Sequence, residues 1–363
     1  MIGTNNERFL FIKKKYHMAT HLQSEFFKFH ENIKLHDKED NQELREERDK
    51  LTEELREYLW NKAESEESST ITFSIENQGS YSMGTGIKPL INDDYDIDVM
   101  VLFNISNEDH KPVEVKDWVF NALQKKNRVV TYKYPCVTVQ YYKDDEKTFH
   151  VDLALYANSN EDEKRYISKG KPTSSSNKKI WEISEPKLLK EKINTKFDDS
   201  DERQQMKRII RYLKRWKDFR FKDSANGKPT GIALTALAYN LFEPEIIKDS
   251  FSSNVEVKDI IALKNLVNSI LGEFSLFFSN ISVELPVEPY NDLFVKMTSD
   301  QQKVFKEHLE TLKTVLENAI DEPDPHEASK IIIKEFGDDF PEVDKDKSAQ
   351  KRALAFPGKS ESA

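Results

Sequence analysis

Asp96 and Asp98 stand two residues apart in Asp94-Tyr95-Asp96-Ile97-Asp98-Val99-Met100-Val101-Leu102-Phe103, and Asp152 lies in Phe149-His150-Val151-Asp152-Leu153-Ala154-Leu155-Tyr156. Both stretches read as strands. Alternation then puts Asp96 and Asp98 on one face, with Ile97, Val99 and Val101 on the other. Their Cα atoms would lie roughly 6.5–7 Å apart at a rise of ~3.3 Å per residue. Asp152 has Val151, Leu153 and Leu155 opposite it, so it joins the pair if its strand lies beside theirs. Hard carboxylate oxygens suit magnesium. Two such ions about 3.5–4 Å apart clamp the attacking and leaving oxygens of a phosphoryl displacement. Without metal, three clustered carboxylates repel one another, a cost that favours a functional reason for them. A lone Asp-x-Asp is more often a charged strand edge; here the third aspartate and the turn upstream shift the balance. Asp93 and Asp94 read as part of the loop entering the strand, and His150 as a neighbour on Asp152's face.

That turn is Gln78-Gly79-Ser80-Tyr81-Ser82-Met83-Gly84-Thr85. Gly79 lets backbone N–H groups approach a phosphate closely, and the Ser80 hydroxyl adds a donor. Gly84-Thr85-Gly86 supplies a second turn, expected to open the short helix that carries this nest. No Gly-Lys-Thr or Gly-Lys-Ser follows, so it is not a Walker loop. Gly-Ser alone is weak; its place between a strand and the aspartates gives it value. A phosphate-cradling turn beside convergent aspartates is what two-metal nucleotidyl transfer requires. Farther along, Arg203 to Lys222 holds nine basic residues and one acidic, Asp218. Lys214 is placed to neutralise a triphosphate, with Lys207 and Arg211 one or two turns earlier on roughly the same face. A solvated helix face is the plain alternative. Thr230, or a tyrosine near the cleft, is a candidate for meeting a base.

The elements that must position these groups follow from periodicity. Leu22, Phe26, Phe27, Phe29 and Ile33 mark an amphipathic helix, and Asp40 to Trp60 a long spine helix with Leu44, Leu51, Leu55 and Leu59. Strands are expected at Thr70–Ile75, Arg128–Tyr134, Val137–Tyr142 and Thr148–Tyr156, with a helix from Val113 to Lys125. From about Asp201 the pattern is helical: Met206 to Trp216, Ile232 to Leu241, Val257 to Leu271 and Ser299 to Asp321, with Thr230 as a helix start. The expected organisation is an extension over 1–17 ahead of Met18, a catalytic lobe with its spine helix over 18–200, a helical lobe over 201–342, and a flexible tail over 343–363. With 363 residues the chain is long enough for two lobes.

Composition excludes several classes. A net charge of −10 argues against a protein whose main task is gripping a nucleic-acid backbone. No apolar run reaches the length of a bilayer span, so no membrane partner is expected. The single Cys136 rules out an internal disulfide and a multi-cysteine zinc site. Residues 1–15 lack a signal-peptide core, and a cytoplasmic location is the expectation.

The motifs together resemble the polymerase-β-type nucleotidyltransferases. More narrowly, they resemble the cGAS/DncV-like nucleotidyltransferases (CD-NTases) of bacterial CBASS antiphage systems. The likeness rests on Gln78-Gly79-Ser80 with Gly84-Thr85, Asp96-Ile97-Asp98, Val151-Asp152, Tyr212-Leu213-Lys214-Arg215-Trp216 and Gly231-Ile232-Ala233-Leu234, and extends over Met18 to about Pro341. It implies an α+β fold: a polymerase-β-like lobe with a mixed sheet, a long N-terminal spine helix and a C-terminal helical lobe closing the cleft. It implies two Mg²⁺ ions, with Mn²⁺ able to substitute, on Asp96, Asp98 and Asp152, the last also helping to activate a ribose hydroxyl. Gln78, Gly79, Ser80, Lys214 and Thr230 would contact the nucleotide. The substrates implied are ATP, GTP or both, with pyrimidine nucleotides as further candidates. The product would be a cyclic di- or trinucleotide that activates a separate effector during phage infection. Ser360-Glu361-Ser362-Ala363 is similar to tails that a conjugating enzyme modifies in some of these systems. No zinc insertion or broad basic platform is visible, which argues against activation by duplex DNA. The alternatives are an RNA-tailing or protein-adenylylating transferase, or a non-catalytic scaffold of the same fold.

Overall fold

The computed structural model describes residues 22–35, 42–90, 95–125, 128–143, 146–222, 227–249, 254–275 and 280–345; for residues 42–45, 95–97, 143 and 146–148 it describes the backbone only. The extension at 1–17, Asp93 and Asp94, and the tail beyond residue 345 lie outside the described residues. The first elements are α1 (Gln23–Ile33), α2 (Gln42–Ser65), β1 (Phe73–Asn77), the one-turn α3 (Gly79–Ser82), β2 (Tyr95–Phe103) and α4 (Pro112–Leu123). Five strands follow, β3 (Arg128–Tyr132), β4 (Val137–Lys143), β5 (Glu146–Ala157), β6 (Tyr166–Lys169) and β7 (Ile180–Ile183), and then α5 (Pro186–Asn194). The helical part comprises α6 (Ser200–Arg220), α7 (Gly231–Leu241), the short pair β8 (Ile246–Lys248) and β9 (Val255–Val257), α8 (Asp259–Gly272), α9 (Ser299–Asp321) and α10 (Pro325–Phe336). The fold is α+β.

Two compact units emerge. One comprises residues 35–194 with 285–291; the other holds the remaining described chain, α1 included. The first is built on a mixed seven-stranded sheet of order β1-β2-β5-β4-β3, with β6 joining β5 to β7. β1 and β2 are antiparallel, β2 and β5 parallel, and β5, β4 and β3 antiparallel. Alternation explains its two faces. Val99, Val101, Phe103, Val151, Leu153, Leu155, Val137 and Val139 are buried together with Leu51, Leu55 and Leu59 of α2 and with Val115, Trp118 and Val119 of α4. The leucines recur every four residues, so one stripe of the spine helix meets the core while its charged side stays in water. On the other face Met100, Leu102, Ala154, Tyr156 and Ile167 form a smaller apolar cluster, beyond the stretch carrying Asp98 and Asp152.

In the helical unit α6 buries Met206, Ile209, Ile210, Leu213 and Trp216 completely. Its first turn is capped by Asp199, whose carboxylate accepts from the N–H groups of Asp201 and Glu202. Helix α1, expected in the lobe of 18–200, packs here instead, and the division falls after residue 194 rather than 200. The reason is aromatic: Phe29 stacks on Tyr212 at 5.2 Å and meets Phe336 edge-on at 5.2 Å, and Phe26 meets Phe340 at 5.0 Å. Beneath them Asp259 accepts from the Arg208 guanidinium and the Tyr212 hydroxyl in a buried cluster that ties α6 to α8.

His30 of α1 lies against Arg211, Nε2 3.1 Å from a guanidinium nitrogen. Burial, reinforced by that cation, lowers His30 from its usual 6.5 to about 4. Between these values the unfolded chain binds the extra proton, so stability should rise with pH across pH 4 to 6.5. At ~1.4 kcal/mol for each pH unit crossed, the gain is a few kcal/mol at most. Urea unfolding at both ends of the window should show it, and His30→Gln should flatten that part of the profile. An unchanged slope in H30Q would assign the effect elsewhere.

Candidate active site

The register of the parallel pair sets the site. Asp98 of β2 stands directly opposite Asp152 of β5, and Asp96 opposite His150 one pleat earlier. Neighbouring strands lie about 4.8 Å apart, so Asp98 and Asp152 share a face at adjacent positions. Both are half-buried. Asp96 shares their backbone face by alternation; its side chain lies outside the described atoms. Of the expected trio, therefore, two carboxylates are placed side by side, and the third residue is placed by register alone. Among the described residues there is no group of three His, Cys, Asp or Glu side chains arranged to hold a metal. The donors present nevertheless fit a hard divalent cation: paired carboxylates are oxygen ligands of the kind Mg²⁺ takes.

The Gly-Ser turn locks onto Asp98. Gln78 N–H donates to the Asp98 carbonyl at 3.0 Å, extending the β1–β2 ladder by one bond. Gly79 then turns with φ +68°, and a Cβ built on it would lie 1.9 Å from Asp98 Oδ2. The space that the missing side chain leaves is filled by the Asp98 carboxylate. Thus Gly79 makes room first for an acid, whatever its N–H approaches. The one-turn helix α3 begins at Gly79, and Gly84, at φ +65°, ends it. The expectation that Gly84-Thr85-Gly86 opens this helix is thereby corrected: left-handed glycine is a helix terminator. Thr85, fully buried, returns its N–H to the Ser80 carbonyl at 2.9 Å.

Two groups not singled out in the sequence hold this arrangement. The buried Tyr156 hydroxyl donates to Gln78 Oε1 at 3.0 Å, and burial, with the charge of Asp98 as a lesser cause, pushes it well above its usual value, so it remains a donor. Thr138 of β4 is Asp152's other cross-strand partner. Its hydroxyl donates to Asp152 Oδ1, and Cys136 Sγ lies 3.8 Å behind it. Burial, followed by the nearby Asp152 charge, raises the Cys136 thiol to about 12. The turn leading into β4 is pinned by Lys116, whose ammonium donates to the carbonyls of Lys133, Tyr134 and Gly170 at 3.0, 2.7 and 2.8 Å; burial lowers it to about 8. Gln140 of β4 is paired with His150 and spends its side-chain amide on the carbonyl of Phe149.

Residues 74–156 match the family model described as "Cyclic GMP-AMP synthase DncV-like, nucleotidyltransferase domain". Over these residues the chain is similar to a DncV-like nucleotidyltransferase domain. That match contains Gln78, Gly79, Ser80 and all three aspartates. The cyclic GMP-AMP synthase of Escherichia albertii is 24% identical over 208 residues, which is 53% of this chain and 44% of that protein. The match thus spans less than half the length of this relative. A Vibrio cholerae di-nucleotide cyclase (DncV) mutant solved with ATP, GTP and 5MTHFGLU2 superposes with TM-score 0.65 at 17% identity, covering 85% of this chain and 93% of that one. Escherichia coli DncV in its 3′-deoxy GTP-bound form gives 0.64 at 16% identity, again 85% and 93%. These structures establish the DncV fold for the chain.

The remaining candidates lie in the helical unit. Lys214 is nearly buried on α6, and a Cβ on Gly231 would come within 3.5 Å of its Cε, which places the ammonium stem beside the first residue of α7. Thr230 is the cap of that helix, its hydroxyl oxygen accepting from Ala233 N–H at 3.2 Å. Both therefore gather at the start of α7. Lys207, on the same helix as Lys214, has its ammonium pulled down by burial and by the adjacent Arg211 and Arg203. Mutual repulsion of this kind suits an anionic ligand. Among the described residues no helix is long and apolar enough to cross a membrane.

Proposed function

We propose that the chain is a metal-dependent nucleotidyltransferase that links nucleoside triphosphates, ATP, GTP or both, into a cyclic di- or trinucleotide. The observation that carries this reading is the strand register that sets Asp98 against Asp152, with the Gly79 turn closed on Asp98. Asp96, Asp98 and Asp152 would hold Mg²⁺ or Mn²⁺. Bound there, the metal would neutralise the triphosphate and favour the ionised form of the attacking hydroxyl. A ribose hydroxyl attacks the α-phosphorus of a second nucleotide; the new O–P bond forms as the bond to pyrophosphate breaks. Asp152 takes part in removing the hydroxyl proton. Ser80, with Gln78 and the backbone N–H of Gly79 at the turn, binds phosphate oxygens, and Lys214 adds positive charge. Thr230 is proposed to contact the nucleotide. Positioning and charge neutralisation provide most of the acceleration.

The relatives support a cyclic product: one is named a cyclic GMP-AMP synthase, and Vibrio cholerae DncV has been solved with the linear intermediate 5′ pppA(3′,5′)pG. A role in antiphage defence through a separate effector, and conjugation of the C-terminal tail, belong to the same proposal. Incubating the purified chain with the four nucleoside triphosphates and Mg²⁺ or Mn²⁺, then treating with phosphatase, tests it. A resistant cyclic product is expected without any added acceptor. Labelling that needs RNA or protein as acceptor, or no product with either metal, would overturn it.

A further inference from the structure

We propose that Thr138 is a positioning residue for Asp152, its hydroxyl fixing one carboxylate oxygen so that the other is presented in a single orientation to the reaction. The inference rests on the nucleotidyl-transfer reading of the site. Asp152 sits between two cross-strand partners, Asp98 on β2 and Thr138 on β4. On the Asp98 side it meets a like charge. On the Thr138 side it meets a donor. An ionised carboxylate only accepts hydrogen bonds, so the Thr138 hydroxyl must spend its single proton on Asp152 Oδ1. That leaves the Thr138 oxygen as the acceptor toward Cys136, whose thiol at 3.8 Å is the donor. The direction of the relay, thiol to hydroxyl to carboxylate, is thus set by chemistry rather than by placement of hydrogens.

Neither member has much freedom to do otherwise. Thr138 is 5% exposed and Cys136 4%, and a β-branched side chain in a strand has few rotamers. The turn that enters β4 is fixed by Lys116 through the carbonyls of Lys133 and Tyr134. A threonine placed only for its strand propensity would be replaceable by valine, which has the same shape. One that orients the carboxylate would not.

Thr138→Val and Thr138→Ser separate these roles. The chain is measured in two ways: turnover of nucleoside triphosphates, and Mn²⁺ binding without nucleotide, followed by electron paramagnetic resonance. Loss of a hydrogen-bond partner to a metal-ligating carboxylate typically costs about 10–100-fold in affinity or activity. Thr138→Val should lose that much in kcat with little change in KM, and that much in Mn²⁺ affinity, while keeping the wild-type melting profile. Thr138→Ser, which keeps the hydroxyl, should stay within about threefold of wild type on both readings, below the low end of that loss. If T138V proves poorly folded, Thr138→Ala carries the same test, since it removes the hydroxyl without adding bulk. Wild-type Mn²⁺ affinity and turnover in T138V, or equal losses in T138S and T138V, would overturn the inference. Should the wild type bind Mn²⁺ but form no nucleotide product, the proposed reaction is what falls, and the binding comparison still decides the role of Thr138.

Discussion

Asp98→Asn should abolish product formation while leaving the chain as stable as before, or more so. Asn has the same shape but no charge, so the strand and the Gly79 contact survive while the hard anionic ligand is lost. Metal stabilisation of phosphoryl charge is worth several kcal/mol. At ~1.4 kcal/mol per decade of rate, turnover should fall by about a thousandfold or more. Stability should move the other way. Without metal, Asp98 and Asp152 face each other across one ladder position, and removing one charge relieves that repulsion. A metal-free melting curve of D98N at or above the wild-type midpoint, with no product by chromatography, is the expected pair of results. Retained turnover in D98N would remove Asp98 from the chemistry. A large drop in melting temperature would instead make it a structural residue.

Gly79→Ala should be nearly as damaging, for a steric reason. The added methyl would sit 1.9 Å from Asp98 Oδ2 and 2.8 Å from Cγ, on a backbone already at φ +68°. A left-handed conformation costs an alanine about 1–2 kcal/mol, and the short Asp98 side chain must rotate away as well. Displacement of a reacting group by about 1 Å can cost 100-fold in rate, which sets the expected loss in kcat. Gly86→Ala is the control. Its methyl would meet Leu35 at 3.5 Å and Ser80 Oγ at 3.7 Å, ordinary contact distances, so near-normal turnover is expected. Steady-state kinetics on the two variants decides it: equal, mild effects would mean that the Gly79–Asp98 contact does not matter.

Much of the site was legible because strand alternation is a local property. Asp98 and Asp152 stand out as polar residues within valine- and leucine-rich runs, and placing each on the face away from the core needed only period two. Their adjacency was not legible. It depends on the pairing of strands 54 positions apart, which turns on β2 and β5 being parallel neighbours. Thr138 was missed because threonine is a common strand former and Val137-Thr138-Val139 looks like ordinary alternation. The available signal was that alternation puts Thr138 on the acid-bearing face of the sheet. Gly79 reads in the sequence as a point of phosphate approach; that it also yields its side-chain space to Asp98 is a product of tertiary packing.

The elements show the same limit. Helices α6 and α9 were readable from long apolar periods. β6 and β7 were missed, being four residues each and mostly half-buried. Helix α10 was overlooked although Asp324 and Pro325 provide its cap and first position. The amphipathic stripe of α1 was evident, but not which lobe it served, because Phe26 and Phe29 find their partners in Tyr212, Phe336 and Phe340, far along the chain.

Diffraction at the manganese absorption edge, from crystals grown with Mn²⁺ and a non-hydrolysable nucleoside triphosphate, addresses the metal assignment without relying on turnover. Anomalous peaks ligated by Asp96, Asp98 and Asp152 beside the triphosphate are the predicted result. Peaks held by other residues, or a nucleotide bound with those three carboxylates turned away from it, would contradict it.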